Sequence, residues 1–432
     1  MSPIDSSTQQ SPLPLSRRWH WASQQAISYL MQQGIENPGV LSLAAGFVDP
    51  VTLPIREVKL AVDELLGKVE SGRWALQYGT TAGSETLRKA LLQHLGEQEN
   101  TAVDQLGISH EQLILTTGSQ QLLSILSEVL VDPEDIVLVA APTYFVYLGT
   151  LEGVGARVVS VPTDRDGMIP DELDRMLAGF EATGELRRVK LIYVVSYYEN
   201  PTGGSLAAER REAVVKLAKK WSRGQRICVL EDAAYRELHY DGPTLPSLWS
   251  YDRERSHVVL AQTFSKTFAP GLRTGYGIVP RDLVGPLCDR KGNEDFGSAH
   301  LTQSILARIM QGGVYREHVA KLCQSYRRKR DAMLGAIDRH FTHLEGVQWE
   351  RPHGGLYVWM TLPAEIETGF QGELFQRAVK EEQVMYVPGE LFYAGPLEQR
   401  PRSQMRLSYG ILDEAGLEEG IRRLARAVAG VM

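Results

Sequence analysis

The sequence predicts an α/β fold built on a mostly parallel sheet. Three observations carry this. Between residues 112 and 279, short apolar runs alternate with segments of helical periodicity, the order that parallel strands with crossover helices produce. Runs such as residues 191–195 are apolar throughout rather than alternating, as strands covered on both faces require. Glycine-rich or polar turns stand directly after these runs, where α/β folds bind ligands at the carboxyl ends of strands.

The elements follow in order. Residues 1–15 are Ser/Pro/Gln-rich and predicted disordered. Residues 16–33 have a helical pattern, with Trp21, Ile27, Leu30 and Met31 on the buried side. Ala44-Ala45-Gly46 lets the backbone approach a partner closely, or simply reverses the chain. Residues 55–68 and 85–96 are predicted helices, and Tyr78-Gly79 between them reads as a packed loop aromatic. A strand at 113–117 leads into Gly118-Ser119-Gln120-Gln121, which opens a helix to residue 130 with Ser119 as its N-cap. A cap and an anion cradle share one geometry, because both use free N–H groups at the helix start.

Residues 136–140 form the next strand, followed by Tyr144, placed either to stack on a planar ligand or to fill the core. Strands at 157–161 and 191–195 come next, the latter ending in Asn200-Pro201-Thr202-Gly203, by itself a common turn. After a helix at 205–221 and a strand at 226–230 stand Asp232 and Tyr235; Asp232 suits a helix N-cap as well as a ligand. The strand at 257–261 runs into Thr263-Phe264-Ser265-Lys266, then Gly271-Leu272-Arg273. A lysine between two hydroxyl residues is an unusual turn, since turns favour Gly, Asn, Asp and Pro. A lysine in a largely apolar site is a known Schiff-base nucleophile. Beyond it, 274–279 reads as a further strand, antiparallel in one arrangement. A long helical region starts near 304, and its basic cluster, residues 326–330, reads as a solvated face. Strands at 354–360 and 405–409 flank a helix at 372–381, and Arg406 lies in the last strand.

Composition narrows the function. A net charge of −7 argues against a nucleic-acid footprint. No stretch is apolar and long enough for a membrane span, and the N-terminus lacks the apolar core of a signal peptide. Cys228, Cys288 and Cys323 are far apart, against a zinc site or disulfide framework and in keeping with a cytoplasmic location.

Together these residues resemble the class I/II aminotransferases, pyridoxal-phosphate (PLP) enzymes of fold type I, in order and near their spacings from about Leu41 to Tyr409. The pattern is nearest to the aminoadipate and kynurenine branch. The resemblance implies a large domain, 55–309, with a seven-stranded, mostly parallel sheet flanked by helices. It implies a smaller α+β domain from 16–54 and 310–432. It assigns the cofactor Schiff base and proton transfer to Lys266, the pyridinium partner to Asp232 and ring stacking to Tyr144. Gly118, Ser119, Gln120, Thr263, Ser265 and Arg273 would hold the phosphate. Asn200 and Tyr235 would face the phenolic oxygen, and Gly46, Asn200 and Arg406 would bind the substrate, Gly46 and Arg406 at its carboxylate. Tyr78 would reach the cofactor of the other subunit of a homodimer. The chain departs from the family at Ser196, where Pro is usual, and Glu199, where Gln is common, changes that bear on pocket polarity.

The implied reaction moves the amino group of an L-amino acid to a 2-oxo acid by a ping-pong route. A PLP lyase or decarboxylase on the same fold is the alternative. A PLP-binding regulator would need a DNA-binding domain, and only about forty residues precede Leu41, without a basic recognition helix. The segment from Trp19 to Ile55 contains no Lys or Arg but holds Trp19, Trp21, Tyr29 and Phe47. In the resembling family this segment packs over the substrate, so the resemblance implies aromatic or large aliphatic donors, because an acidic side chain there would lack a cationic partner from this segment.

Overall fold

A computed structural model describes residues 13–21, 29, 32, 36, 37 and 39–432. The expected disordered stretch falls mostly outside these residues, as do Ile27, Leu30 and Met31. The helix Arg17–Trp21 has no buried residue, and Trp21 is half-buried.

The central sheet runs in the order Leu113–Thr116, Gly275–Ile278, Val258–Thr263, Cys228–Asp232, Val189–Val195, Ile136–Ala141, Arg157–Asp164, Gly167–Met168. The five strands from Val258–Thr263 to Arg157–Asp164 are mutually parallel. Gly275–Ile278 is antiparallel to both neighbours. The seven expected strands are present, and the two-residue Gly167–Met168 adds a short eighth by folding back on Arg157–Asp164.

Apolar residues on the two sides of each strand enter two separate cores, which is why the strands are apolar throughout. Ile136 and Leu138 face one core, Val137 and Val139 the other. Helices Ser119–Leu130 and Phe145–Gly153 close the second core. Phe145–Gly153 and Arg281–Asp295 escape the periodicity argument. The first has no clean polar face, and the second carries Pro286 within it.

A second, antiparallel sheet orders Gln348–Trp349, Tyr357–Thr361, Gln404–Ser408 and Val387–Pro388. Leu41–Ser42 pairs in parallel with Val384–Met385, so the segment that carries Gly46 is fixed by the C-terminal part of the chain.

The basic cluster on the 28-residue helix Val314–Phe341 is not wholly solvated. Arg327 and Arg328 are exposed, but Lys329 and Arg330 are buried. Lys329 pairs with Asp49 at 2.7 Å and Arg330 with Asp241 at 2.7 Å. Their apolar stems pack inward while the heads meet buried or half-buried carboxylates. Tyr326 accepts from the Asp49 amide at 2.9 Å, so this helix clamps the segment leading out of the site.

Candidate active site

The carboxyl ends of the parallel strands open into a cavity of about 630 Å³. Of the residues singled out in the sequence, Gly46, Gly118, Ser119, Gln120, Tyr144, Asn200, Asp232, Tyr235, Thr263, Ser265, Lys266, Arg273 and Arg406 all line it. Tyr78 does not. It is 78% exposed and packs edge-to-face on Phe296, itself exposed.

One end of the cavity is an anion cradle. Gly118, not Ser119, is the N-cap of helix Ser119–Leu130, at φ 73°, and no side chain caps the helix. Positive φ favours glycine there. A Cβ on Gly118 would also come within 2.8 Å of Arg273 Nη2. Arg273 itself has φ 47° and donates to the Pro270 carbonyl at 3.2 Å, which folds its side chain back over the helix start. Thr263 Oγ1 donates to Ser265 Oγ at 3.0 Å and accepts from the Ser265 amide. Uncapped amides, hydroxyls and a guanidinium fit a phosphate dianion. Gln120 Oε1 is buried without a partner among the described residues.

Asp232 closes strand Cys228–Asp232 and is no helix cap; its Oδ1 accepts from the Ala234 amide at 3.1 Å. Its Oδ2 accepts from Tyr193 Oη at 3.0 Å. Burial raises its pKa to about 6, against the opposing pull of those two hydrogen bonds. A cationic ring nitrogen is the partner that such a carboxylate lacks. Tyr193 was not legible as a site residue, because it sits within a continuous apolar strand. Burial also pushes the Tyr144 phenol well above its ordinary value.

Lys266 Nζ donates to the Gly46 carbonyl at 2.7 Å. Arg406 donates from Nη1 to Asn200 Oδ1 at 2.8 Å and from Nη2 to the Ala44 carbonyl at 2.7 Å. Its Nε is buried with no partner among the described residues. Nη1 and Nη2 each carry a second N–H beyond these bonds, so donor capacity remains on a buried cation that lines the cavity, as an incoming carboxylate needs.

These residues match a known family. The chain matches the family described as Aminotransferase class I and II over residues 38–424. The chain belongs to the class I and II aminotransferases. It is 33% identical over 394 residues to the aromatic-amino-acid aminotransferase 1 of Thermococcus litoralis, covering 91% of this chain and 89% of that one. It is 33% identical over 400 residues to the 2-aminoadipate transaminase of Thermus thermophilus, covering 92% of each. A solved structure of the kynurenine aminotransferase of Pyrococcus horikoshii superposes with a TM-score of 0.87 at 31% identity, over 97% of both chains. The protein is a PLP-dependent aminotransferase, and the branch is the one that its residues resemble. The cradle, the buried Asp232 carboxylate and the Arg406 guanidinium all fit PLP and an amino-acid substrate.

The two departures from the family do not reach the cavity lining. Ser196 donates to Glu231 Oε1 at 2.7 Å. Glu199 is buried, takes a hydrogen bond from Thr202 at 3.0 Å, and is pushed up to about 8 by burial. Of the aromatics in the N-terminal segment, only Phe47 lines the cavity among the described residues. Tyr29 packs instead on Phe370, at 4.6 Å between ring centroids.

Proposed function

We propose that this cavity transfers the amino group of an aromatic or large aliphatic L-amino acid to a 2-oxo acid, with Lys266 as the amine that moves the proton. The observation that carries it is the placement of Lys266 Nζ between the Gly46 carbonyl and the Tyr235 ring, in one cavity with Asp232 and Arg406. When bound, PLP supplies a carbonyl for the amine exchange and a ring that takes up electrons from the substrate Cα. Arg406 holds the substrate carboxylate, which orients Cα towards the Lys266 amine. That amine then takes the Cα proton and returns it as general base and acid. Asp232, as a carboxylate, keeps the ring nitrogen protonated. Ser119, Ser265, Thr263 and Arg273 anchor the phosphate, and Asn200 and Tyr235 face the phenolic oxygen.

Three further readings belong to this proposal. Residues 55–309 serve as the cofactor domain, and residues 16–54 with 310–432 as the smaller one. Tyr78 serves a second subunit, supported by its own exposure and by the exposed apolar side chains of Trp74 and Leu76 just before it in the chain and of Phe296, against which its ring packs. A cytoplasmic location rests on the three free cysteines.

The test is chemical. The purified protein is expected to be yellow, to bleach with borohydride, and to carry the label on Lys266 alone by peptide mapping. A label on another lysine, with Lys266→Ala still turning over, would sink the assignment.

A further inference from the structure

Tyr357 has no role in the reading above, yet its side chain lies in the cavity. It opens strand Tyr357–Thr361, beside the strand that carries Arg406. Its Oη is 3.0 Å from Tyr235 Oη, and the two rings meet edge-to-face at 5.6 Å between centroids. The Arg406 guanidinium lies 4.3 Å from the centre of the Tyr357 ring. Gly46 leaves room for the hydroxyl, since a Cβ there would come within 2.7 Å of Tyr357 Oη.

We propose that Tyr357 is a positioning residue that acts through Tyr235: its hydroxyl donates to Tyr235 Oη, which turns the Tyr235 proton towards the phenolic oxygen of the cofactor. This rests on the assignment of the cavity to PLP.

The direction of that hydrogen bond decides the matter. Each phenol has one proton. If Tyr235 donated to Tyr357, it would have none left for a ligand oxygen. The more acidic of two phenols is the better donor. The Arg406 guanidinium lies over the Tyr357 ring, 4.3 Å from its centre, and a nearby cation strengthens a phenol as a donor. The one Tyr235 proton goes to the phenolic oxygen of the cofactor, because an anionic oxygen accepts more strongly than a neutral phenol. The other titratable groups that sense Tyr357 are Tyr144, Tyr326 and Tyr409, all phenols pushed upward and so neutral near pH 7. Tyr357 is therefore the donor and Tyr235 the acceptor. A phenol that accepts one hydrogen bond is also a stronger donor in the next.

The readout is the pH titration of the visible absorbance of the cofactor-loaded protein. Donation from Tyr235 stabilises negative charge on the phenolic oxygen, so it favours the high-pH form and lowers the midpoint. Tyr357→Phe keeps the ring and removes the hydroxyl. It is expected to raise the midpoint by about half a pH unit, the scale of a modest hydrogen-bond change. In a Tyr235→Phe background the same substitution is expected to move nothing. An unmoved midpoint in Tyr357→Phe would overturn the proposal, even if KM changed. An equal shift in both backgrounds would overturn it too, because Tyr357 would then act without Tyr235. If the wild-type protein showed no lysine-bound absorbance, the assignment of the cavity would fail first, and this inference with it.

Discussion

Arg406 donates from Nη1 to Oδ1 of Asn200 across 2.8 Å, joining residues 206 positions apart in the chain. Asn200 follows a strand of the large sheet, and Arg406 lies within a strand of the small one. The proposed carboxylate and phenolic-oxygen sites are thus held in fixed relation by one bond. Arg406→Ala is expected to lower kcat/KM by about thirtyfold or more, since hydrogen bonds to a charged group contribute roughly 1.5–3 kcal/mol each. Arg406→Lys should recover only part of this, because an ammonium cannot meet Asn200, Ala44 and a carboxylate in one plane. Steady-state kinetics with saturating PLP check both. Kinetics close to wild type in Arg406→Ala would remove the residue from substrate binding.

Asp232 gives a stability prediction with a definite sign. Its pKa in the folded, cofactor-free protein is raised from 3.8 to about 6, first by burial. A group with a raised folded pKa adds stability below its unfolded pKa and loses it as pH rises through the folded one. Cofactor-free wild-type protein should therefore lose up to about 3 kcal/mol from this residue between pH 4 and pH 6. Asp232→Asn has no such loss, so its stability relative to wild type should climb over that window and then level off. Urea melts of the two cofactor-free proteins across the pH range test it. In the loaded enzyme the same substitution should keep some cofactor and lower kcat at least about tenfold, or ~1.4 kcal/mol.

At the phosphate end, Gly118 and Arg273 are coupled by space. Gly118→Ala forces a side chain into φ 73° and sets its Cβ 2.8 Å from Arg273 Nη2. Arg273→Ala removes a proposed phosphate cation. Each is expected to raise the Kd for PLP about tenfold or more, roughly 1.4 kcal/mol. Arg273→Ala should leave kcat within a few-fold at saturating cofactor. Fluorescence titration of the cofactor-free protein provides the Kd. A large kcat loss with unchanged retention would exchange the roles of Arg273 and Arg406.

Much of this arrangement was legible in the sequence because the site sits where strand periodicity ends. Gly118, Tyr144, Asn200, Asp232 and Lys266 each stand one to five residues after the last residue of an apolar run or close it, so the run marks them. Tyr193 and Tyr357 were not legible as site residues, because an aromatic inside an apolar strand looks the same whether its hydroxyl meets a carboxylate or another side chain. The basic cluster misled for a related reason. Four consecutive cations on a helix point around its whole circumference, and Lys329 and Arg330 happen to face buried acids that are distant in sequence.

The cavity lining bears on the donor side chain more directly than the N-terminal segment does, which supplies only Phe47 among its expected aromatics. Val40, Phe47, Phe145, Val146, Met385 and Ile411 line the cavity with apolar surface. Among the described residues its cationic lining is Lys266, Arg273 and Arg406, and each has a proposed task at the cofactor or the α-carboxylate. A distal carboxylate on the donor would find no further cation there, and an unpaired buried charge is costly. A buried aromatic or aliphatic side chain gains on the order of 1.5–3 kcal/mol. Phenylalanine and leucine are therefore expected to exceed aspartate and aminoadipate in kcat/KM, by about tenfold or more with a fixed 2-oxo acid. The comparison needs all four donors under one condition. A lead of more than about tenfold for aspartate or aminoadipate, ~1.4 kcal/mol of transition-state preference, would mean that Arg273 or a cation from beyond this lining reaches the side chain, and the apolar reading of the pocket would be wrong.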